Sequence, residues 1–147
     1  PVTYIDIRPL LRDVPGLTFV HGDATNLRSI PDNSVASISC LHAVEHFGLG
    51  RYGDTVEQKS FIRAIKEIQR IAARDIYFSV PIGQERLVFD SHRIFNPKTI
   101  LDLFNECDVI EFSIVDDNNN LIIDYNVYDC NQFEYACGLF HFRKILK

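Results

Sequence analysis

The stretch Ser34–Asp54, SVASISCLHAVEHFGLGRYGD, decides how this chain is read. It opens on an apolar run of strand length (Val35, Ala36, Ile38, Cys40, Leu41), preceded by the turn-like Pro31-Asp32-Asn33-Ser34, and then turns polar and glycine-rich. A buried strand therefore delivers a loop that carries His42, Glu45, His46, Arg51, Tyr52 and Asp54, spaced by Gly48, Gly50 and Gly53. So many titratable groups on one loop are costly unless they line a site.

Working outward, Val2–Ile7 is rich in β-formers and stops at Arg8-Pro9, which places Asp6 at a strand's carboxyl end. Leu17–His21 is a second strand, running into Gly22-Asp23-Ala24, so a second acid falls at a strand end. From Asp54 to Ala73, apolar residues recur every three or four positions (Val56, Phe61, Ile62, Ile65, Ile68, Ile71, Ala72), predicting an amphipathic helix. Asp75–Pro81 is a further strand. Pro97–Cys107 reads as a helix with Asn96 as its N-cap. Val109–Val115 and Leu121–Tyr125 read as a hairpin around Asp116–Asn120, and Tyr135–Phe142 as a last strand. Apolar strands alternating with helices predict an α/β domain over residues 1–147, mostly parallel with an antiparallel C-terminal hairpin. In such sheets ligands bind beyond the carboxyl ends of the strands, where Asp6, Asp23 and the loop after Leu41 fall.

The bulk properties narrow the function classes. At 147 residues the chain is long enough for its own core. A formal net charge of −5 and no basic run longer than Arg143-Lys144 argue against a nucleic-acid footprint. The four cysteines show no CxxC pair, and no apolar segment has the length of a membrane span, so the expectation is a reduced, cytoplasmic, membrane-free protein. The sequence begins at Pro1 and contains no Met, which reads as a partial or trimmed chain.

The order of motifs resembles the class I S-adenosylmethionine-dependent methyltransferases, a Rossmann-like fold. The pieces that carry the resemblance are YIDIRP (Asp6), GDA (Gly22, Asp23, Ala24), SISCLHAVEH and DIYFSVP; the strings EHFGLGRYGD, VPIG and HRIF are similar to a methyltransferase-like family of unassigned function, often tied to bacterial surface-glycan genes. The resemblance implies S-adenosylmethionine as cofactor, with Asp6 on the ribose hydroxyls, Asp23 and Ala24 at the adenine, and Leu41 and His42 bordering the methionine end. Against these stand plainer readings: a solvated acid for Asp6, an Asx-turn for Asp23, a backbone-bonded loop histidine for His42. The glycine-rich turn that precedes the ribose-binding acid by about 20 residues has no counterpart after Pro1, so either the first strand and its loop lie upstream or this chain does not hold the cofactor as relatives do.

His42-Ala43-Val44-Glu45-His46 also spells H-x-x-E-H, a spacing at which two histidines on one helical face bind zinc. A strand directly before it and Gly48-Leu49-Gly50 directly after it leave little room for that helix, so no metal is expected. For methyl transfer to a hydroxyl of a small-molecule or glycan-precursor acceptor, His46 is the candidate base, because histidine's unperturbed pKa of ~6.5 leaves it neutral near pH 7. Glu45 would orient the imidazole or face water. Arg51 and Tyr52 are candidate acceptor contacts, Asp54 a candidate helix cap, and His92 and Arg93 candidates to close over the same strand ends, with a surface ion pair as the other reading of Arg93. The alternative function is a non-catalytic module of the same fold.

Overall fold

A computed structural model describes residues 2–89 and 91–145. Nine strands and two helices follow in order: β1 Val2–Asp6, β2 Leu17–His21, β3 Val35–Leu41, α1 Ser60–Ile71, β4 Ala72–Ile82, β5 Arg86–Val88, β6 His92–Ile94, α2 Pro97–Leu103, β7 Cys107–Val115, β8 Leu121–Ile122 and β9 Ala136–Lys144. Three of them, β3, β4 and β7, share one direction in a five-stranded sheet ordered β3-β4-β9-β7-β8, while β9 and β8 oppose them. β1 and β2 form a separate parallel pair in which Asp6 lies beside His21. The fold is mixed α/β, as the alternation of strands and helices predicts.

Departures from the expected boundaries have local causes. α1 begins at Ser60 rather than Asp54, because Asp54 turns back to its own loop and caps no helix. α2 keeps the expected cap, the Asn96 side chain accepting from the Lys98 N–H at 3.0 Å, but ends at Leu103. β4 runs one residue past Pro81. The N–H that Pro81 lacks falls beyond the end of the β3 ladder, which stops at Leu41 beside Ser79, and there β6 takes over, the Phe95 N–H donating to the Pro81 carbonyl. The β5–β6 hairpin gives no periodic signal in sequence; three-residue strands are too short to show one.

The apolar face of α1 (Ala64, Ile65, Ile68, Ile71) and a run of stacked rings make the core. Phe104 stacks on Phe142 at 4.2 Å and meets Phe78 edge-on at 4.9 Å, while Phe112 packs on Phe140 at 4.6 Å. Buried Gln69 ties α1 to α2, its amide donating to the Leu103 carbonyl and accepting from the Glu106 N–H. Arg70 ties α1 to the segment before β3 through Glu67, Asp32 and the carbonyls of Leu27 and Ile30. Among the described residues, no helix is long and apolar enough to cross a membrane.

For the site, the insertion of β9 between β4 and β7 matters most. Because β9 runs against β4, with Cys137 paired to Pro81, its first residues lie at the carboxyl end of β4, beside the end of β3.

Candidate active site

β3 ends at Leu41, and His42 turns the chain with φ +47° while its N–H still donates to the Ser79 carbonyl of β4. A left-handed backbone at a residue with a side chain stores strain, and such residues concentrate at sites. The turn Val44–His46 is one short 3-10 segment rather than an α-helix. Its two histidines point to different partners. His42 Nδ1 lies 3.2 Å from Glu45 Oε1 and its Nε2 3.0 Å from the Cys137 sulfur; His46 Nδ1 donates to the Ser91 carbonyl at 2.9 Å. The H-x-x-E-H spacing therefore does not form a paired-histidine face.

Glu45 is the buried hub of the loop. Only 2% exposed, it places Oε1 against His42 and 3.8 Å from His46 Nε2, while Oε2 has no hydrogen-bond partner among the described residues. His46 has Tyr52 edge-on at 5.5 Å and His92 edge-on at 6.1 Å. His92 accepts from or donates to Ser91 Oγ through Nδ1 at 2.6 Å, packs on Tyr135, and leaves a buried Nε2 unpartnered. Burial, and then the neighbouring His46, push its pKa down, so His92 stays neutral near pH 7. Arg8 and Arg51 both lie over the Tyr52 ring, at 4.7 and 5.6 Å. The Arg8 contact brings the β1 end and the 42–54 loop to one edge of the molecule.

Glycines and Asp54 set the rest of the loop. Burial raises the Asp54 carboxyl, but the N–H groups of Tyr52 and Gly48 outweigh it and hold the group below its usual range. Arg93, half-buried, donates to three backbone carbonyls, those of Phe47, Glu45 and Gln58, with its guanidinium over Phe61. That geometry makes it a clamp on the loop rather than a group free to meet an acceptor or form a surface ion pair.

At the other end of the edge, Asp6 accepts from the Tyr4 hydroxyl and from the Arg8 backbone N–H, Nε and Nη2 at 2.7–3.0 Å. The Arg8 contact, more than the Tyr4 one, holds its carboxyl well below the usual range. Asp23 is exposed and accepts from the Thr25 N–H at 2.8 Å, an Asx-turn, and Ala24 packs partly into the core. Leu41, at the end of β3, is 59% exposed. Of the expected residues, the structure brings together His42, Glu45, His46, Arg51, Tyr52 and His92, with Asp6 joined to them through Arg8. Cys137, Ser91 and Tyr135 were not legible as site residues, since no local pattern marks them.

The architecture is that of a mixed α/β domain whose candidate loop follows β3. It shares this fold with the solved crystal structure of the [4+2]-cyclase SpnF, at a TM-score of 0.60 and 12% sequence identity over 89% of this chain. The chain spans 58% of the length of that structure. Residues 27–142 match the family described as Caenorhabditis protein of unknown function, DUF268, and the chain belongs to that family. No curated protein matches the sequence.

Proposed function

We propose that this domain serves an S-adenosylmethionine-dependent methyltransferase acting on the oxygen of a small-molecule or sugar acceptor. The observation that carries the reading is the setting of His46. Its Nδ1 is committed to the Ser91 carbonyl, which leaves the Nε2 lone pair as the acceptor, with the Tyr52 and His92 rings edge-on to the imidazole. When bound, the cofactor supplies an electrophilic methyl group. The chain's own part is to bind, orient and deprotonate: His46 Nε2 takes the acceptor's hydroxyl proton, Glu45 at 3.8 Å stabilises the imidazolium so formed, and Arg51, Tyr52 and His92 flank the acceptor. The sugar acceptor rests on the sequence resemblance.

The cofactor's adenosine side fits what the strand ends offer. Asp6 and Asp23 follow adjacent parallel strands, and Ala24 and the exposed Leu41 supply apolar surface beside them. Asp6 would meet ribose hydroxyls by yielding its Arg8 contacts. The glycine-rich turn expected upstream would arrive on a strand between β1 and β3, whose outer edges carry no ladder among the described residues. A carboxylate already satisfied by Tyr4 and Arg8 is the observation that favours the second reading, a non-catalytic module of the same fold.

Asp6→Ala separates the two. In a native-length protein the substitution is expected to weaken S-adenosylmethionine binding by roughly 1.5–3 kcal/mol, the range for a hydrogen bond to a charged acceptor, as read by calorimetry. No binding by the unsubstituted protein at millimolar ligand would move the assignment to the non-catalytic module.

A further inference from the structure

Three side chains at the carboxyl ends of β3 and β4 form a relay of which the proposed methyl transfer uses only Glu45. Glu45 Oε1 lies 3.2 Å from His42 Nδ1, and His42 Nε2 lies 3.0 Å from the sulfur of Cys137, which is 95 residues away in sequence and brought there by the antiparallel entry of β9. A nucleophile within reach of a base whose other nitrogen is held by a carboxylate is the arrangement that activates serine and cysteine in acyl transfer. We propose that Cys137, His42 and Glu45 form a nucleophilic site that accepts an acyl group from an ester or thioester.

Two further observations point to this cysteine as a reactive group. Among the described residues Glu45 Oε2 is buried without a hydrogen-bond partner, and only 2% of the residue is exposed. A carboxylate kept in that state has a stake in an adjacent positive charge. The pair it supports is open: Cys137 is only partly buried and the His42 side chain is 43% exposed, so a small electrophile can reach the sulfur. The other three thiols differ. Burial pushes Cys40 up to about 12 and Cys107 and Cys130 up to about 11, which leaves them inert near neutrality.

The charges around the relay agree with it. The hydrogen bond to Cys137 first, then that to Glu45, raise His42 to about 10 against the opposing effect of desolvation. The groups facing the relay are Glu45 from the turn, Cys137 from β9 and, around Glu45, Cys40 of β3 with His46 and His92. In the proposed step, the Cys137 proton passes to His42 Nε2 and the sulfur attacks the carbonyl carbon. A C–S bond forms, the C–O or C–S bond to the leaving group breaks, and His42 returns its proton to the departing alkoxide or thiolate. Water then attacks the acyl-cysteine, giving its proton to His42 and releasing the carboxylic acid. Because the proton donor lies against the sulfur, poor leaving groups that must be protonated suit the site best.

The test needs no cofactor, so its outcome is independent of the methyl-transfer reading. Native protein is treated with iodoacetamide from about pH 6 to about pH 8 and each cysteine is quantified by peptide mass spectrometry. Cys137 is expected to label at least about ten-fold faster than the other three at about pH 6, with a nearly flat profile, and to lose about ten-fold in His42→Asn. Asn is the chosen replacement because it tolerates the left-handed backbone of His42. 4-Nitrophenyl acetate is expected to release about one 4-nitrophenolate per chain in a burst, followed by slower turnover, both lost in Cys137→Ala. A labelling rate that climbs about ten-fold per pH unit in the native protein, as a free thiol's does, overturns the proposal even if His42→Asn fails to fold. Alkylation of Cys137 with neither a 4-nitrophenolate burst nor turnover overturns the acyl assignment.

Discussion

Replacing His46 by Ala lowers turnover about 10²–10⁴-fold in a native-length protein, while affinity for S-adenosylmethionine stays within about two-fold. The expectation follows from the single hydrogen bond that orients the ring. With Nδ1–H given to the Ser91 carbonyl, Nε2 is the nitrogen left to take a proton, and Tyr52 and His92 stand edge-on to the ring. Removing the imidazole removes the proton acceptor and no contact expected to hold adenosine. Steady-state kinetics against calorimetry gives the split directly: turnover that survives the substitution would leave His46 a structural residue.

Gly48→Ala is expected to destabilise the fold by about 2–4 kcal/mol, from a backbone penalty and a steric one acting together. Gly48 holds φ +73°, and an added Cβ would stand 1.9 Å from the Glu57 carbonyl oxygen and 2.9 Å from Ser60 Cβ. Neither neighbour is a flexible chain end: one is backbone and the other opens α1. The Gly48 N–H is also fixed by Asp54, so the loop cannot shift without losing that contact. Gly53 is the internal control. Its φ is +85° but nothing lies within 4 Å of a new Cβ, so Gly53→Ala costs only about 1 kcal/mol. Thermal or denaturant unfolding of the two variants checks the difference, and equal losses would mean that the loop adjusts freely around Glu57.

The outcome for these glycines shows what the sequence could and could not reveal. Gly48, Gly50 and Gly53 stood out between polar residues, and all three adopt positive φ, but only the structure separates the crowded position from the open one. The strands β1 and β2 were legible because each is an apolar run that ends at Asp, Gly or Pro, and β3 because an apolar run follows the turn Pro31–Ser34. The placement of β9 was not legible, since strand order is decided by packing between residues far apart in sequence, and Cys137 was hidden with it. Arg93 was misread for a related reason. Next to a histidine on a short segment it looked like a free cation, whereas its partners are carbonyls contributed by a loop and a helix entry more than 30 residues away. Asp54 capped nothing because the loop's own N–H groups reached it first.

The entry of β9 between β4 and β7 also bears on how the chain is made. β9 is the last of the described strands to leave the ribosome, yet it occupies the middle of the sheet and donates Phe140 and Phe142 to the ring stack. Until Ala136–Lys144 has emerged, β4 and β7 each present an open hydrogen-bonding edge beside apolar side chains, the kind of surface that pairs with other chains. Completion of the sheet therefore waits for residues 136–144, a nascent chain stalled before residue 136 should be a client for chaperones, and the Cys137–His42 contact comes into being only when β9 is in place.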